Sequence, residues 1–351
     1  MAKLLRYGFI FLLFFSLFVG YLFYSFCKPI VTQKEGVVYY LHPGTSPKIL
    51  IATLAKQGFI RFPLFFFTYV ELSGRAQLKT GEYLFPQGSS SLSIWRQVTE
   101  GKGFVYHEFT IIPGWTFKQL RLALAQTQNL RPTLQNLDDK QLMLRLGYKP
   151  FSPEGEFFPE TYYYTKDVPD LVILKRAIDY MQKKLNEAWL TREPNLPYQN
   201  AYEALIAASL IEKEAYLAAE RPIIAGVLIN RLRKNMRLQF DPTVIYGMGE
   251  HYQGKIYKQN LLEDTAYNTY VHKGLPPTPI AMPSFSAIDA ALHPQHHEYY
   301  YFVAKGDGSH QFSKTLAEHN KAVVTSSQRG KKYFNEALMK RYIENILRGQ
   351  S

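Results

Sequence analysis

Residues 200–220 read NAYEALIAASLIEKEAYLAAE, a stretch dense in alanine and leucine that contains neither glycine nor proline. This composition predicts one helix over the whole stretch. At about 100° per residue, Glu214 lies within the apolar stripe of that helix, with leucine, isoleucine and alanine three and four positions away. Glu212 falls on the other side, where we expect water as its neighbour. The pattern therefore predicts different surroundings for two nearby glutamates.

Glu214 is a candidate general acid. A carboxyl group packed among leucine and isoleucine resists ionisation, and a raised pKa is what a general acid needs near neutral pH. The alternative is a structural role, in which Glu214 pairs with an arginine or a backbone amide in the core. Glu203 shares the apolar side, but it lies three residues after Asn200 and is explained as the partner in an N-terminal cap.

The composition restricts the class of protein. The 351 residues have room for two or three domains, and 46% of them are hydrophobic, which is typical of a folded protein. The net charge of +12 is spread along the chain without a dense run of Lys and Arg, so we predict an acidic polymer or an anionic membrane surface as partner, and no nucleic acid. The single cysteine, Cys27, excludes an internal disulfide and a cysteine-rich zinc site.

The N-terminus carries a predicted membrane span. Residues 7–26 contain no charged side chain, and about twenty such residues span roughly 30 Å of hydrocarbon. Lys3 and Arg6 precede the span, which places residues 1–6 in the cytoplasm and the rest of the chain outside. A cleaved signal peptide has a similar charge pattern. The length of the run and the lack of a small-x-small site after it favour an uncleaved anchor.

The remaining chain predicts an α+β fold in several parts. Residues 27–105 form a small α+β module, with a strand after Gly36, a helix capped by Thr45 or Ser46, a second helix and a strand near Glu82. A mostly helical segment, 106–198, includes an aromatic loop at 155–164. A compact domain covers 199–325, and residues 326–351 carry a terminal amphipathic helix.

Within the domain at 199–325, two elements follow the first helix. We expect Arg221-Pro222 to end that helix and residues 223–234 to form a second one. Further on, Tyr299 to Ala304 predicts a strand, and Gly306-Asp-Gly-Ser309 predicts a hairpin turn.

Polar and aromatic residues cluster in loops after this helix, a composition suited to hydrogen-bonding sugar hydroxyls and to stacking on pyranose rings. The sequence lacks a phosphate-binding glycine loop, a zinc-binding His-Glu-x-x-His helix and a Gly-x-Ser-x-Gly elbow. Residues 293–297 contain three histidines but no carboxylate partner at a diagnostic spacing. We therefore predict neither a metal site nor a cofactor.

Over nearly its whole length the chain resembles the YceG-like endolytic murein transglycosylases. The motifs that carry the resemblance are EFFPETY (156–162), SLIEKE (209–214), LQFDPTVIYG (238–247), YNTY (267–270), GLPPTPIAMP (274–283) and TLAEHN (315–320). The resemblance implies a lytic enzyme of the inner, cytoplasmic membrane that cuts nascent peptidoglycan strands internally. The implied product of cutting the MurNAc-GlcNAc β-1,4 bond is a 1,6-anhydroMurNAc end.

The resemblance also implies a domain plan and an essential residue. A single transmembrane helix precedes a LysM-like module at 27–105 and a catalytic core at 199–325, and the essential glutamate of the family maps onto Glu214. The module binds glycan or serves as a spacer; both readings stay open. The implied partners are peptidoglycan glycan strands, the cytoplasmic membrane and peptidoglycan synthases.

Glu214 needs no second carboxylate for a lytic reaction, in which one carboxyl serves first as acid and then as base. Asp241 is a candidate for stabilising positive charge on the sugar, with a role in a turn or helix cap as the alternative. Asn230 and Arg231 are predicted to pin helices or loops. His319 and Asn320 border the cleft or cap the final helix. Further candidate cleft residues, for each of which local structural bonding is the alternative, are Gln239, Thr243, Tyr246, Asn268, Tyr270 and Glu160.

Two other functions agree with the same residues. A hydrolytic muramidase would use water where the lytic enzyme uses the sugar's own hydroxyl. A non-catalytic scaffold would hold glycan through the module and the positive surface, and loss of the acid would be its signature. The presence of Glu214 favours an enzyme.

Overall fold

The computed structural model describes residues 2–74, 77–149 and 152–325, and the predicted terminal helix at 326–351 lies outside them. The helices are α1 (Ala2–Cys27), α2 (Pro47–Lys56), α3 (Pro63–Ser73), α4 (Ser91–Glu100), α5 (Phe117–Gln126), α6 (Asp139–Arg145), α7 (Asp170–Leu190), α8 (Ala201–Glu214), α9 (Arg221–Arg233), α10 (Asp241–Met248) and α11 (Phe285–Leu292). The strands are β1 (Val37–Leu41), β2 (Gly81–Phe85), β3 (His107–Thr110), β4 (Leu130–Arg131), β5 (Thr161–Tyr164), β6 (Val168–Pro169), β7 (Tyr301–Ala304) and β8 (His310–Ser313).

Two compact units make up the chain. The first contains residues 1–108, 128–131 and 163–169, and the second contains 109–127, 132–162 and 170–351. The predicted segment at 106–198 is thus divided between the two units, and the boundaries predicted from the sequence stay a prediction. The mixture of helices with short strands confirms the predicted α+β class.

The first unit is built on an antiparallel pair of strands. β1 pairs with β2, from Val37 opposite Phe85 to Leu41 opposite Gly81, and α2 and α3 lie between these strands in sequence. Ser46 caps α2 as predicted, because its hydroxyl accepts a hydrogen bond from the backbone N–H of Ile49. The side chains at the centre of the unit, all buried, are Leu50, Leu54, Phe66, Tyr83, Phe85, Ile94 and Trp95.

α1 has the properties of a membrane-spanning helix. Leu5–Cys27 is long and apolar enough to cross a bilayer, and most of its large apolar side chains are exposed. Its last turns are different, because Leu22 and Phe26 belong to the core of the first unit. The apolar helix therefore continues into the core of the first unit.

The second unit surrounds α8. Residues 204–211 are all buried, and α8 contacts α7, α9, α10 and α11. Asn200 caps the helix as predicted, because its side-chain oxygen accepts a hydrogen bond from the N–H of Glu203. The Glu203 carboxylate accepts from the N–H of Gln199, one residue before the cap. β7 and β8 form the predicted hairpin, with Tyr301 opposite Ser313 and Ala304 opposite His310.

The prediction of one helix through Glu220 is wrong. α8 ends at Glu214, Ala215 is extended, and a short 3₁₀ turn follows at Ala218–Glu220. Pro222 does not end the first helix but lies in the first turn of α9, where its missing N–H costs no hydrogen bond. Alanine-rich sequence favours a helix only weakly, and tertiary packing overrides this preference here.

Candidate active site

A cleft of about 510 Å³ opens beside the C-terminal end of α8. Its walls come from the C-terminal ends of α8 and α9, the start of α10, the hairpin of β7 and β8, and the helical segment 316–325. The lining residues of this cleft that the sequence analysis selected are Glu214, Gln239, Asp241, Tyr270, His319 and Asn320. The structure thus brings together residues that are more than a hundred positions apart in the chain.

Glu214 is the last residue of α8 and is half-buried at the cleft. Burial of the carboxyl group, and to a lesser extent the nearby negative charge of Asp241, raise the pKa of Glu214 to about 8. The positive charge of Arg231 acts in the opposite direction, but it is the weaker effect. The C-terminal end of a helix also disfavours a negative charge, because the helix dipole is negative there. A substantial share of Glu214 therefore carries a proton at neutral pH.

Asp241 lies at the N-terminal end of a helix, whereas Glu214 lies at a C-terminal end. It is the first residue of α10, where an anion interacts favourably with the helix dipole. Its carboxylate accepts a hydrogen bond of 2.5 Å from the hydroxyl of Tyr270. No side chain caps α10 at Phe240, so the predicted alternative of a capping role for Asp241 is wrong. The cleft thus contains two carboxyl groups at opposite kinds of helix end, and the pKa of one of them, Glu214, is raised.

Arg231 is a charged group at the cleft that is only 6% exposed. Its Nε donates to the carbonyl of Tyr300 at 2.6 Å, and its guanidinium lies 5.3 Å from the centre of the Tyr301 ring. Asn230 donates to the carbonyls of His297 and Tyr299 at 2.9 and 3.0 Å. Both residues therefore tie α9 to the segment that leads into β7, which confirms their predicted pinning role.

Two histidines complete the cleft. His319 stacks on Tyr301 at 5.3 Å, and its buried Nδ1 has no hydrogen-bond partner. Burial lowers the pKa of His319, and the positive charge of Arg231 lowers it further. His310 is held by Glu220, whose two carboxylate oxygens lie 2.9 Å from its backbone nitrogen and 2.7 Å from its Nδ1. The break between α8 and α9 is what places Glu220 at this histidine.

Within the segment 316–325, His319 is an interior residue and not a cap. Thr315 and Glu318 provide the cap, because the Thr315 hydroxyl accepts from the N–H of Glu318 at 3.2 Å and the Glu318 carboxylate accepts from Thr315 and Lys314. His319 and Asn320 both line the cleft, and the predicted alternative of a cap at the terminal helix falls outside the described residues.

Four other candidate residues do not line this cleft: Thr243, Asn268, Tyr246 and Glu160. Thr243 is buried and bonds the carbonyl of Phe240 and the hydroxyl of Thr269. Asn268 is buried and donates to three loop carbonyls between residues 260 and 263. Local structural bonding, the alternative considered for both, is thus what the structure shows.

Tyr246 and Glu160 lie elsewhere on the second unit. Tyr246 donates to the buried carboxylate of Glu154 at 3.0 Å and lines a separate cleft of about 470 Å³. Glu160 is exposed, and its carboxylate accepts from the N–H of Thr161. Contact of these two residues with a substrate stays a prediction.

Comparison with known proteins decides the family. The sequence model described as the YceG-like family matches residues 39–325, which include every lining residue of the cleft and most of the first unit. The chain belongs to the YceG-like family. This membership confirms the resemblance drawn from the motifs, although the likeness of residues 27–105 to a LysM module is not confirmed by it.

The chain is similar to named relatives and to a solved structure. The chain is 33% identical over 318 residues to the endolytic murein transglycosylase of Bacillus subtilis, covering 85% of this chain and 87% of that protein. It is 26% identical over 325 residues to the endolytic murein transglycosylase of Streptococcus pneumoniae D39, of which it covers 58%. A crystal structure of a YceG-like protein from Listeria monocytogenes is 31% identical, with a TM-score of 0.53, and the match covers 82% of this chain and 99% of that one.

Sequence reasoning missed one wall of this YceG-like cleft. The hairpin strand β7 was predicted, but its residues 301–304 were not recognised as cleft residues. Residue types give no signal, because an aromatic strand next to a turn is equally typical of a core strand. The three histidines of 293–297 lie apart from the cleft and have separate partners: Asp289, Glu193 and the backbone of Ile223.

The predicted solvent exposure of Glu212 is wrong. Its side chain is only 7% exposed and pairs with Arg221 at 2.9 Å. The second carboxylate oxygen accepts from the backbone N–H and the hydroxyl of Ser284, at 2.9 and 2.5 Å. The expectation failed because the start of α11 packs on this side of α8, which a helical wheel cannot show. Glu212 therefore joins α8, α9 and α11.

We expect Glu212→Gln to destabilise the protein by about 1–3 kcal/mol, because a neutral amide weakens the bonds to Arg221 and Ser284. Thermal unfolding of the detergent-solubilised full chain measures this loss. Glu187→Gln is the matched control, since Glu187 is 53% exposed and pairs with Lys183 and Lys184 of its own helix. Equal melting temperatures for the two variants would contradict the structural role of Glu212.

Proposed function

We propose that this member of the YceG-like family is a membrane-anchored endolytic transglycosylase of peptidoglycan. The observation that carries the proposal is the carboxyl group of Glu214, which faces the cleft with its pKa raised to about 8. Relatives named endolytic murein transglycosylases support the same reaction class. A scaffold without catalytic activity would have no need for a protonated carboxyl at a cleft.

The first step of the proposed reaction is protonation of the leaving group. Glu214 donates its proton to the oxygen of the MurNAc-GlcNAc β-1,4 bond while the bond from that oxygen to C1 of MurNAc breaks. Positive charge develops on the sugar ring, and the carboxylate of Asp241 in the same cleft stabilises it. The GlcNAc-containing fragment leaves with a new hydroxyl group.

The second step uses the same carboxyl as a base. Ionised Glu214 accepts the proton of the C6 hydroxyl of MurNAc, and the oxygen of that hydroxyl attacks C1 to close the 1,6-anhydro ring. Glu214 is then protonated again, so the catalyst is restored without water entering the reaction. Attack within one sugar has the advantage of proximity, which replaces a bimolecular step with an intramolecular one.

The proposed location rests on α1 and the charges at its start. Lys3 and Arg6 precede the uncharged residues 7–26, a pattern typical of a cytoplasmic N-terminus, so the proposal places the enzyme unit on the outer side of the cytoplasmic membrane, where it meets nascent glycan. Peptidoglycan synthases supply such glycan and are the proposed partners. The LysM-like module at 27–105 connects the anchor to the catalytic core, either as a glycan-binding part or as a spacer.

The mass of the products tests the reaction. Purified full chain in detergent is incubated with polymeric, un-crosslinked glycan, and the new strand ends are identified by mass spectrometry. We expect the new strand ends to carry 1,6-anhydroMurNAc, because the group that attacks C1 is the sugar's own hydroxyl. Fragments of intermediate length show an endolytic cut, whereas release of only terminal disaccharides would contradict it.

The same measurement separates the alternatives. Asp241 shares the cleft with Glu214, and most glycoside hydrolases use a pair of carboxylates. Reducing ends, each heavier by one water than an anhydro end, would overturn the lytic reaction in favour of a muramidase. Intact glycan after incubation with folded protein would favour the scaffold.

A further inference from the structure

The start of α3 exposes a group of large apolar side chains. Phe62, Leu64 and Phe65 are 40%, 80% and 46% exposed, although they belong to a module with a well-buried core. Contiguous exposed apolar side chains of this size mark an interaction surface more often than single ones do. We call residues 62–65 the apical turn.

The apical turn lies against the membrane-spanning helix. The ring of Phe65 meets the ring of Phe18 at 5.6 Å, edge to face, and the ring of Phe62 lies 6.2 Å from that of Tyr21. Later residues of α3 contact the end of α1, because Phe66 lies 5.0 Å from Phe26. The first turn of α3 therefore lies nearer the cytoplasmic end of α1 than the later residues of α3 do.

These contacts with α1 indicate how deep in a bilayer the apical turn would lie. Phe18 precedes Phe26 by eight residues, which corresponds to roughly 12 Å along the helix. Tyr21 and Tyr24 are exposed on this part of α1, and tyrosine is enriched where acyl chains meet headgroups. Leu64 and Phe65 therefore lie at or below the level of an aromatic belt.

The backbone and the neighbouring charge suit this position. Pro63 stands in the first turn of α3, so one of the unbonded N–H groups of a helix start is absent where such groups are costly. Phe62 has φ of 55°, a left-handed conformation that is unfavourable for a bulky residue. Exposed Arg61 precedes it and has a side chain long enough to reach lipid phosphates.

We propose that the apical turn of the membrane-proximal module inserts into the outer leaflet of the bilayer beside α1, with lipid acyl chains covering Leu64 and Phe65. The insertion gives the module a second attachment to the membrane besides its covalent link to the anchor. It holds α3 against the bilayer and restricts the orientation of the first unit. The inference rests on the membrane insertion of α1, which is part of the proposed function.

Site-directed spin labelling of the full chain tests this insertion. In a Cys27→Ser background, Leu64→Cys carries a nitroxide, and the protein is reconstituted into vesicles of phosphatidylethanolamine and phosphatidylglycerol. Lipid-soluble oxygen and a water-soluble nickel chelate compete in relaxing the label. We expect a several-fold higher ratio of oxygen to nickel accessibility at position 64 than at Leu72→Cys, which is 84% exposed at the other end of α3.

A label at Leu12→Cys, within α1, separates failure of this inference from failure of the anchor. Lipid exposure at position 12 with water exposure at position 64 overturns the insertion alone. Water exposure at position 12 overturns the anchor itself. Shielding of position 64 from both reagents would indicate a protein contact, such as a second copy of the chain, and also overturns the proposal. Phe65→Cys repeats the measurement if the label at position 64 impairs folding.

Discussion

Glu214→Gln should reduce cleavage of un-crosslinked glycan by on the order of 10³-fold, since removal of a general acid that also serves as base affects both steps of the reaction. The substitution keeps the size of the side chain and removes only the transferable proton. Release of soluble fragments from purified glycan measures the loss. Retained turnover would refute the assignment of Glu214, whereas the matched change in the same helix, Glu212→Gln, should leave cleavage intact below its melting temperature.

At high pH, the Glu214→Gln variant should be more stable than the wild type. Glu214 has a pKa of about 8 in the folded protein and an ordinary pKa of 4.5, so the folded state binds the proton more tightly. The free energy of unfolding therefore falls as the pH rises from about 4.5 to about 8, and a glutamine at this position does not contribute to that fall. The same sign applies to Glu154 and Glu156, whose burial raises their pKa to about 7.

Denaturant unfolding at about pH 5 and about pH 9 checks this linkage, because Glu154 and Glu156 are present in both proteins and cancel in the comparison. The wild type should lose more stability between these two conditions than the Glu214→Gln variant does. Parallel losses would show that the carboxyl is not held protonated by the fold. An acid that is catalytically useful is in this way a source of instability.

Local rules predicted the local structure well. Asn200 with Glu203, Ser46 before α2 and the Gly-Asp-Gly turn before β8 each formed the cap or turn that its residue types favour. These motifs satisfy their hydrogen bonds within a few residues. Their geometry therefore depends little on the rest of the fold.

The surroundings of the two glutamates in α8 depended on distant residues. The raised pKa of Glu214 was expected from apolar neighbours three and four positions before and after it in one helix. α8 ends at Glu214, so the two later neighbours lie outside the helix, while Leu210 and Ile211 are buried within it. Burial in the cleft and the charge of Asp241 produce the shift instead. The exposure of Glu212 was wrong because Arg221 and Ser284 approach from α9 and α11. A helical wheel cannot show which side of a helix meets a second and a third element.

Asp241→Asn should lower cleavage by about 10²-fold, because an amide cannot stabilise developing positive charge as a carboxylate does. Asparagine can still accept the hydrogen bond from Tyr270, so the start of α10 should keep its structure. The loss should appear in kcat more than in KM, since the charge develops only as the bond breaks. An unchanged kcat would remove Asp241 from the mechanism and leave Glu214 as the only acting carboxyl.

The pH dependence distinguishes this role from a merely structural one. Cleavage by the wild type should fall as the pH rises through about 8, where Glu214 loses its proton. The negative charge of Asp241 raises that pKa, so the Asp241→Asn variant should lose activity at a lower pH. Tyr270→Phe is the matched control, because it removes the hydrogen bond to Asp241 but keeps the charge, and its alkaline limb should stay in place. A common shift in both variants would mean that the hydrogen bond, and not the charge, sets the pKa of Glu214.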